Sequence, residues 1–277
     1  MNKVRLDNYL VLKGYTPSRS KASELIHNGK VKVNNKVILK PSFDVSEEDN
    51  IEVLENKVLK YVSRGGLKLE KAIEYFSLDL TNKVILDIGS STGGFTDCAL
   101  KHKALFVYAL DVGTNQLHES LLNNENVCSM ENTNFKDVTK EMFDKHIDLY
   151  VCDVSFISIQ TILRKLKELD EKFNIVILFK PQFEVGKNNL NKNGVVKNKN
   201  ILINALNNFE EFLKIMNISI INATYSPITG NKEGNIEFLF YLNNSGISKK
   251  INYNSIVEEA ISVLKVKSWL SNLQLKI

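Results

Sequence analysis

The chain has 277 residues and a net charge of +4, and 43% of its residues are hydrophobic and 25% are charged. This length suits one large domain and one small domain, and the composition is typical of a folded globular protein. Three cysteines, an odd number without metal-ligand spacing, predict neither a disulfide framework nor a bound metal. The amino terminus is charged and no apolar run reaches the roughly 18 residues of a membrane helix, so a cytoplasmic protein with no membrane partner is expected.

Positive charge is concentrated at the amino-terminal end of the chain. Residues 1–40 contain nine lysines and arginines but two acidic residues, a net charge of +7, and the other 237 residues therefore sum to −3. Such a distribution is typical of proteins that bind a polyanion. A solvated lysine-rich face is the alternative interpretation.

The first 55 residues predict a small α/β module. A short first helix is indicated by an apolar stripe, which consists of Leu6, Tyr9, Leu10 and Leu12. A second helix should begin after Thr16, with a proline at its first position, and end at Gly29. Strands at 31–33 and 37–39 flank two asparagines that tolerate the positive φ of a tight turn, and a last strand is expected at 51–54.

Three motifs in this module resemble the S4 RNA-binding domain, in the order that the family shows: RLDNYL at 5–10, SRSKA at 18–22 and HNGKVKVN at 27–34. The resemblance implies an S4 domain over residues 1–57 that holds structured RNA. A basic helix beside a lysine-bearing hairpin suits phosphates better than base edges. The residues expected to bind RNA are Lys3, Arg5, Arg19, Lys21, Lys30, Lys32 and, beyond this domain, Arg64.

Residues 58–82 predict a linker and an amphipathic helix, and strands and helices alternate from residue 83 onward. Candidate strands lie at 84–86, 106–110, 148–152, 175–179, 218–223 and 237–241. Candidate helices lie at 95–102, 157–169 and 201–216. This alternation predicts a doubly wound, mostly parallel α/β sheet of the Rossmann-like kind, whose ligands bind at the carboxyl ends of the strands.

The first turn of this sheet is a glycine-rich loop, DIGSSTGGF from Asp87 to Phe95. Its spacing is G-x-x-x-G-G and not the G-x-G-x-x-G of dinucleotide-binding sites. Asp111 ends the next strand, where an acidic side chain can accept both ribose hydroxyls of a nucleoside. An acidic ribose acceptor without a glycine pattern for pyrophosphate favours S-adenosylmethionine as the ligand. Asp137 is a candidate for binding its adenine amino group. Taken alone, the glycine loop also fits a tight turn without a ligand, and Asp137 also fits an Asx turn. The residues expected to bind the cofactor are Asp87, Gly89, Gly93, Phe95, Asp111, Asp137 and Asp153.

Two lysines and two carboxylates are further candidates for chemistry at this edge: Lys68, Asp153, Lys180 and Glu237. A 2′-hydroxyl is a poor nucleophile near neutral pH, so an enzyme that methylates it must position it and help its proton to leave. Lys180 follows four apolar residues and precedes a proline, which predicts a packed stem with the amine at a strand end. As a neutral amine it could accept the proton, and as a cation it could act as an electrostatic clamp. The sequence leaves both roles open, and Lys68 alone also fits an ordinary surface lysine.

Residues 60–242 resemble the FtsJ-type ribose 2′-O-methyltransferase domain, whose Lys-Asp-Lys-Glu tetrad falls on these four residues. Their surrounding motifs match in order: SRGGLKL at 63–69, DVSFIS at 153–158, KPQFE at 180–184 and GNIEF at 234–238. With the S4 domain, the chain resembles the hemolysin A (TlyA) family of ribosomal RNA methyltransferases. The resemblance implies a class I methyltransferase domain over 83–277 with a seven-stranded, mostly parallel sheet, S-adenosylmethionine as cofactor, and 2′-O-methylation of cytidines in small- and large-subunit ribosomal RNA. Lys136 is a departure, since many relatives carry arginine there.

The partners implied are ribosomal RNA or ribosomal subunits, and no obligate protein partner is indicated. A loop at 186–200 is lysine-rich and has no acidic residue. We expect this loop and the basic amino-terminal segment to flank one path for bound RNA. The alternative interpretation is a loop that is only solvated. Two other classes of function stay open at this point. One is an RNA-binding or ribosome-assembly factor without enzymatic activity, and the other is a membrane-active hemolysin, for which the sequence has no lytic amphipathic segment.

Overall fold

A computed structural model of the protein describes residues 3–16, 19–27, 29–53, 60–196, 198–230 and 234–274, apart from the side chains at 20, 21, 24 and 265–274. The side chain of Lys21 and the predicted domain boundary at residue 57 therefore lie outside the described residues. The chain forms two compact units, one of Met1–Leu59 together with Lys267–Ile277 and one of Lys60–Val266.

The first unit is a small α/β module, as predicted. Its described elements are β1 (Val4–Arg5), α1 (Leu6–Leu12), α2 (Arg19–His27), β2 (Val31–Val33), β3 (Lys36–Val37), β4 (Asp44–Val45) and β5 (Ile51–Val53). β2 pairs antiparallel with β3 and with β5, and β1 pairs antiparallel with β4. The hairpin turns at Asn34 and Asn35, whose φ angles of 50° and 65° confirm the predicted positive-φ turn.

Aliphatic side chains from both helices and from the strands form the core of this unit. Leu6 and Leu10 of α1, and Ala22 and Ile26 of α2, are fully buried because residues four apart lie on one face of a helix. The prediction that Leu12 belongs to the same stripe is wrong, since Leu12 is 68% exposed. It lies two residues after Leu10, which places it about 200° further round the helix.

The second unit contains a sheet of seven strands with helices on both faces. Its elements are α3 (Gly65–Phe76), β6 (Val84–Ile88), α4 (Gly94–Lys101), β7 (Phe106–Leu110), α5 (Glu119–Leu122), β8 (Val127–Met130), β9 (Leu149–Cys152), α6 (Ile159–Leu169), β10 (Asn174–Phe179), α7 (Lys199–Ile215), β11 (Ser219–Tyr225), β12 (Phe238–Asn243) and, as far as Val266, α8 (Tyr253–Gln274). The strand order is β11-β12-β10-β9-β6-β7-β8. β12 is antiparallel to both of its neighbours and the other pairs are parallel, which confirms the predicted fold.

Alternate residues of each central strand pack against opposite layers of helices. Leu86 of β6 belongs to the same apolar cluster as Leu163 of α6 and Phe209 of α7. Its neighbour Ile85 packs instead with Leu69 of α3, in the cluster that also contains residues of α4. Burying such side chains stabilises the fold by about 1.5–3 kcal/mol each, so both faces of the sheet contribute to the core.

Three elements of this unit, α5, β8 and α8, were not predicted, and the starts of two helices were misplaced. β8 is an edge strand without a fully buried residue, so its hydrophobic pattern is weak, and α8 also went unrecognised. α6 begins at Ile159, because the side chain of Ser158 caps it by accepting a hydrogen bond from the amide of Gln160. α7 begins at Lys199, because Asn198 caps it in the same way. None of the helices in the described part of the chain is long and apolar enough to cross a membrane.

Candidate active site

The carboxyl ends of β6, β7, β9 and β10 meet at one edge of the parallel sheet, and antiparallel β12 begins there. Phe179, the last residue of β10, pairs with Phe238, the first residue of β12. Lys180 and Glu237 therefore stand next to each other at this edge. Ile88 of β6 pairs with Cys152 of β9, so the glycine-rich loop after β6 starts beside Asp153.

The two lysines and two carboxylates come together in one chain of ion pairs. Lys68, on the first turns of α3, places its Nζ 3.1 Å from Asp153 Oδ2 and 2.9 Å from Glu237 Oε2. Lys180 Nζ lies 2.7 Å from Asp153 Oδ1. Asp153 thus bridges the two ammonium groups, and residues that are far apart in the sequence share one cluster.

Three of the four cluster residues are nearly closed to water, whereas the side chain of Asp153 is 18% exposed. Glu237 is 2% exposed, Lys180 8% and Lys68 9%. Burial lowers the pKa of Lys68, but the Asp153 and Glu237 carboxylates raise it by more, and the result lies above the usual value. Burial likewise raises the pKa of Asp153, but Lys68 and Lys180 lower it further, to below the usual value. Lys68 is therefore a fixed cation and Asp153 a fixed anion near neutral pH.

Lys180 differs from Lys68 in its second contact. Its Nζ donates a hydrogen bond to Ser155 Oγ at 2.8 Å, where Lys68 has a second carboxylate. The amine of Lys180 therefore already holds a hydroxyl group at hydrogen-bond distance. Ser155 was not among the predicted site residues, since a serine in a loop after a strand carries no distinctive signal.

An aromatic pair lies beside Lys180. Phe156 is 92% exposed and has a φ of 65°, a backbone conformation that is strained for a bulky residue. Its ring centroid lies 5.3 Å from that of Phe183, and Lys180 Nζ lies 6.0 Å from the Phe183 ring. A strained backbone that presents an aromatic ring to solvent is typical of a residue that contacts a ligand.

Asp87, in β6, provides a buried acceptor next to this cluster. The side chain is completely buried, and Thr96 donates a hydrogen bond to its Oδ2 at 2.7 Å. Its Oδ1 is also buried but has no hydrogen-bond donor within the described ranges. Burial raises the pKa of Asp87 to about 7. An unpartnered buried carboxylate oxygen suits a cationic donor supplied by a ligand.

The glycines after β6 keep the loop close to the rest of the edge. Gly89 has a φ of 83°, and a Cβ there would lie 2.9 Å from Val154 Cγ1 and 3.0 Å from the Asp153 carbonyl oxygen. Gly93 has a φ of 89°, and a Cβ would lie 2.2 Å from Leu121 Cδ1. Both positions therefore require glycine, for conformation and for space.

Asp111, directly after β7, is held by backbone amides of two loops. Ser91 donates to Oδ2 at 2.8 Å and Gly113 donates to Oδ1 at 2.7 Å, which leaves further lone pairs on each oxygen for a ligand. The following loop is organised by Glu131, which accepts the amides of Asn115, Gln116 and Leu117 at 2.7, 2.8 and 3.2 Å. These hydrogen bonds lower the pKa of Glu131 below its usual value. Glu131 was not predicted as a site residue, because β8, the strand that it follows, was not predicted.

Two further residues expected to bind the cofactor differ in their exposure to solvent. The side chain of Phe95 is 3% exposed and belongs to the core under α3, so only its backbone remains for a ligand. Asp137 is exposed on a single 3-10 turn after β8.

The basic residues of the first unit include a pair of arginines that share one carboxylate. Asp7 is 3% exposed and lies 2.7 Å from Arg5 Nη2 and 3.4 Å from Arg19 Nη2. Hydrogen bonding to Arg5 lowers the pKa of Asp7, against the effect of burial. Lys32 has a loose surface contact with Glu52 at 3.8 Å. Asp7 therefore fixes the direction of two cations, a role that its position in the sequence did not indicate.

The other basic candidates lie near the surface. Lys3 and Arg64 are exposed and Lys30 is half-buried. In the loop at 186–200, Lys187 and Lys192 are exposed, and Lys199 pairs with Glu258 at 2.5 Å. Lys197 of this loop lies outside the described residues.

Two family models match the chain. The FtsJ-like methyltransferase model matches residues 61–244, and the S4 domain model matches residues 4–51. The first match contains the whole ion-pair cluster and the second contains Arg5, Asp7 and Arg19.

Three curated relatives cover most of the chain. Hemolysin A of Brachyspira hyodysenteriae is 47% identical over 85% of this chain and 98% of its own length. The 23S rRNA (cytidine-2′-O)-methyltransferase TlyA of Campylobacter jejuni is 40% identical over 84% of this chain and 97% of its own length. The 16S/23S rRNA (cytidine-2′-O)-methyltransferase TlyA of Mycobacterium tuberculosis is 36% identical over 87% of this chain and 90% of its own length. A solved structure from Streptococcus thermophilus, provisionally named a hemolysin, is 35% identical with a TM-score of 0.76 and covers 97% of this chain and 99% of its own.

Proposed function

Because this chain belongs to the hemolysin A (TlyA) family of FtsJ-like methyltransferases, we propose that it transfers a methyl group from S-adenosylmethionine to a ribose 2′-hydroxyl of ribosomal RNA. The buried cluster of two lysines and two carboxylates at the carboxyl edge of the sheet is the observation that carries the proposal. Two relatives are named for cytidine 2′-O-methylation of 23S, or of 16S and 23S, ribosomal RNA. A cytidine in one or both subunits is therefore the proposed target.

The residues around the glycine-rich loop fit S-adenosylmethionine. Asp87 Oδ1, which is buried without a donor, would accept a hydrogen bond from the amino group of the cofactor. Asp111, whose carboxylate is already oriented by two amides, would accept the ribose hydroxyls. Gly89 and Gly93 would let the backbone approach the ligand, and Asp137 would be available to the adenine. When bound, S-adenosylmethionine supplies the activated methyl group of a sulfonium.

Lys180 is the residue proposed to contact the 2′-hydroxyl. Its hydrogen bond to Ser155 Oγ supports this proposal, because a substrate hydroxyl would accept a hydrogen bond from the same amine. It would accept the proton or steer it away as methyl transfer proceeds. Asp153 would hold the amine in place, and Lys68 would balance the two carboxylates as a permanent cation rather than act as a base.

The RNA-binding part of the proposal rests on the S4 domain and on the exposed aromatic pair. Single-stranded RNA bases commonly stack on aromatic side chains, so Phe156 would receive the base of the target nucleotide. Arg5 and Arg19, oriented by Asp7, would contact phosphates. We assign the S4 domain to residues 1–57, the linker and leading helix to 58–82 and the methyltransferase domain to 83–277, in a protein of the cytoplasm.

Ribosomal RNA from cells that lack this gene provides the test. Both subunits and their naked RNAs would be incubated with the purified protein and S-adenosylmethionine, and 2′-O-methyl groups would be mapped by nucleotide. The wild type should modify a discrete cytidine, and Lys180→Ala should not. Lys172→Ala is the matched control, because Lys172 is exposed and precedes β10 at the opposite edge of the sheet. If the wild type leaves every ribose unmodified, the proposal fails.

A further inference from the structure

A cavity of about 300 Å³ lies between α6, α7 and the segment that follows Lys180. Phe179, which directly precedes Lys180 in the chain, and Glu184, four residues after Lys180, both line it. Gln160, in the first turn of α6, and Asn204, in the second turn of α7, also line it. Both helices follow parallel strands and begin at their carboxyl ends, so the cavity lies at the same edge of the sheet as the cluster.

Carboxamide side chains dominate the polar part of the lining. Gln160 is half-buried, whereas Asn204 and Asn208 are exposed to solvent at the mouth of the cavity, and none of the three forms a side-chain hydrogen bond within the part of the chain that the structure describes. Asn204 and Asn208 are one helical turn apart, so they line the same side of the cavity. Each carboxamide offers two N–H donors and one carbonyl acceptor, which is the chemistry that reads the edge of a nucleobase.

The rest of the lining carries no cation, and it is apolar apart from Glu184 and Asn189, whose amide donates a hydrogen bond to the Val185 carbonyl oxygen at 2.6 Å. Phe179 and Phe209 stack with ring centroids 4.7 Å apart and form the floor with Ala205. The lining carboxylate, Glu184, is already used, since it accepts hydrogen bonds from Ser158 Oγ at 2.8 Å and from the Ile159 amide at 2.9 Å. A cavity with a carboxylate and no lysine or arginine disfavours a phosphate and suits a neutral, planar, polar-edged group.

We propose that this cavity binds the base of an unpaired nucleotide adjacent to the methylated one, with Asn204, Asn208 and Gln160 reading its edge. This inference rests on the proposed function and specifies the RNA that it uses. The target ribose would lie at Lys180, and the cavity is lined by its chain neighbour Phe179 at the same edge of the sheet, so one strand of RNA would occupy both. Base-edge contacts here would select sequence, whereas the arginines of the S4 domain contact phosphates.

Abasic substitution in the RNA tests the inference. After the methylated cytidine has been mapped, RNA fragments would carry an abasic ribose at each flanking nucleotide in turn, and single-turnover methylation would be measured. The wild type should lose about tenfold in rate at one flanking position, the scale of one or two hydrogen bonds. The double variant Asn204→Ala with Asn208→Ala should lose the same tenfold factor in methylation rate on intact RNA. The abasic site that slows the wild type should not slow this double variant further. Alanine favours helix more than asparagine does, so α7 should remain folded.

Asn207→Ala is the control, because Asn207 is exposed on the same helix outside the cavity lining, and it should behave as the wild type does. The inference is overturned if no flanking abasic site slows the wild type, or if the double variant responds to that site as strongly as the wild type does. Activity of the wild type on intact RNA separates these results from failure of the proposed function. If that activity is absent, the affinities of the wild type and the double variant for intact and abasic RNA give the same comparison.

Discussion

Removing the cation at the centre of the ion-pair chain should destabilise the methyltransferase unit. In Lys68→Met an apolar side chain of similar length replaces the amine that lies 2.9 Å from Glu237 and 3.1 Å from Asp153. Asp153 keeps Lys180 at 2.7 Å, but Glu237, which is 2% exposed, has no other ion pair in the described residues. One buried carboxylate is thus left without a countercharge.

The expected loss follows from that single orphaned charge. Breaking a buried ion pair by removing one partner typically costs about 3–5 kcal/mol, mostly because the remaining charge stays desolvated. Replacing both partners by neutral groups costs much less. Lys68→Met combined with Glu237→Gln should therefore regain most of the free energy of unfolding that Lys68→Met loses.

Urea unfolding followed by far-ultraviolet circular dichroism measures these differences. With urea m-values of about 1–3 kcal/mol/M, a loss of 3 kcal/mol shifts the midpoint by about 1 M or more. The single variants Lys68→Met and Glu237→Gln, the double variant and the wild type form a complete cycle. A loss below about 1 kcal/mol in Lys68→Met, or no recovery in the double variant, would refute the assignment of Lys68 as the countercharge of Glu237.

Four further predictions concern the cofactor, the proton and the RNA. Lys180→Ala should lose about 10²–10⁴-fold in the rate of single-turnover methylation while it still binds cofactor and RNA. If Lys180 is a base, Lys180→Arg should also be inactive, because arginine keeps its proton. A fully active Lys180→Arg variant would show that Lys180 acts as an electrostatic clamp instead. Asp111→Ala should weaken S-adenosylmethionine binding by about 1–3 kcal/mol in calorimetry, and unchanged affinity in a folded variant would contradict the ribose assignment. Neutralising Arg19 and Lys21 should flatten the salt dependence of RNA binding by roughly one unit of slope per lost phosphate contact, and an unchanged slope would mean that neither touches phosphate. Burial raises the pKa of Asp87 from 3.8 to about 7, so the folded state keeps a proton that the unfolded chain releases. The free energy of unfolding should therefore fall as the pH rises between those values, and Asp87→Asn should flatten this slope in pH-dependent unfolding.

The sequence by itself determined which residues stand at the ends of strands. Val84 to Leu86 before a glycine loop, and Val176 to Phe179 before Lys180, are local patterns that a reader of the chain can recognise. Parallel strands place their carboxyl ends at one edge, so Asp111, Asp153 and Lys180 could be assigned to one edge of the sheet without coordinates. The hairpin at 34–35 was predictable for the same reason, since its turn chemistry is contained in two neighbouring residues.

Only the tertiary structure decided how these side chains pair. Lys68 and Glu237 lie far apart in the chain, and no periodic pattern says that their charges meet at 2.9 Å or that Lys180 turns instead toward Ser155. Glu131 holds three backbone amides, a contact that depends on an edge strand with too few buried residues to leave a hydrophobic signal. Secondary structure follows from short-range periodicity, whereas the partners of a buried polar group follow from packing between distant segments, which the order of residues along one strand does not encode.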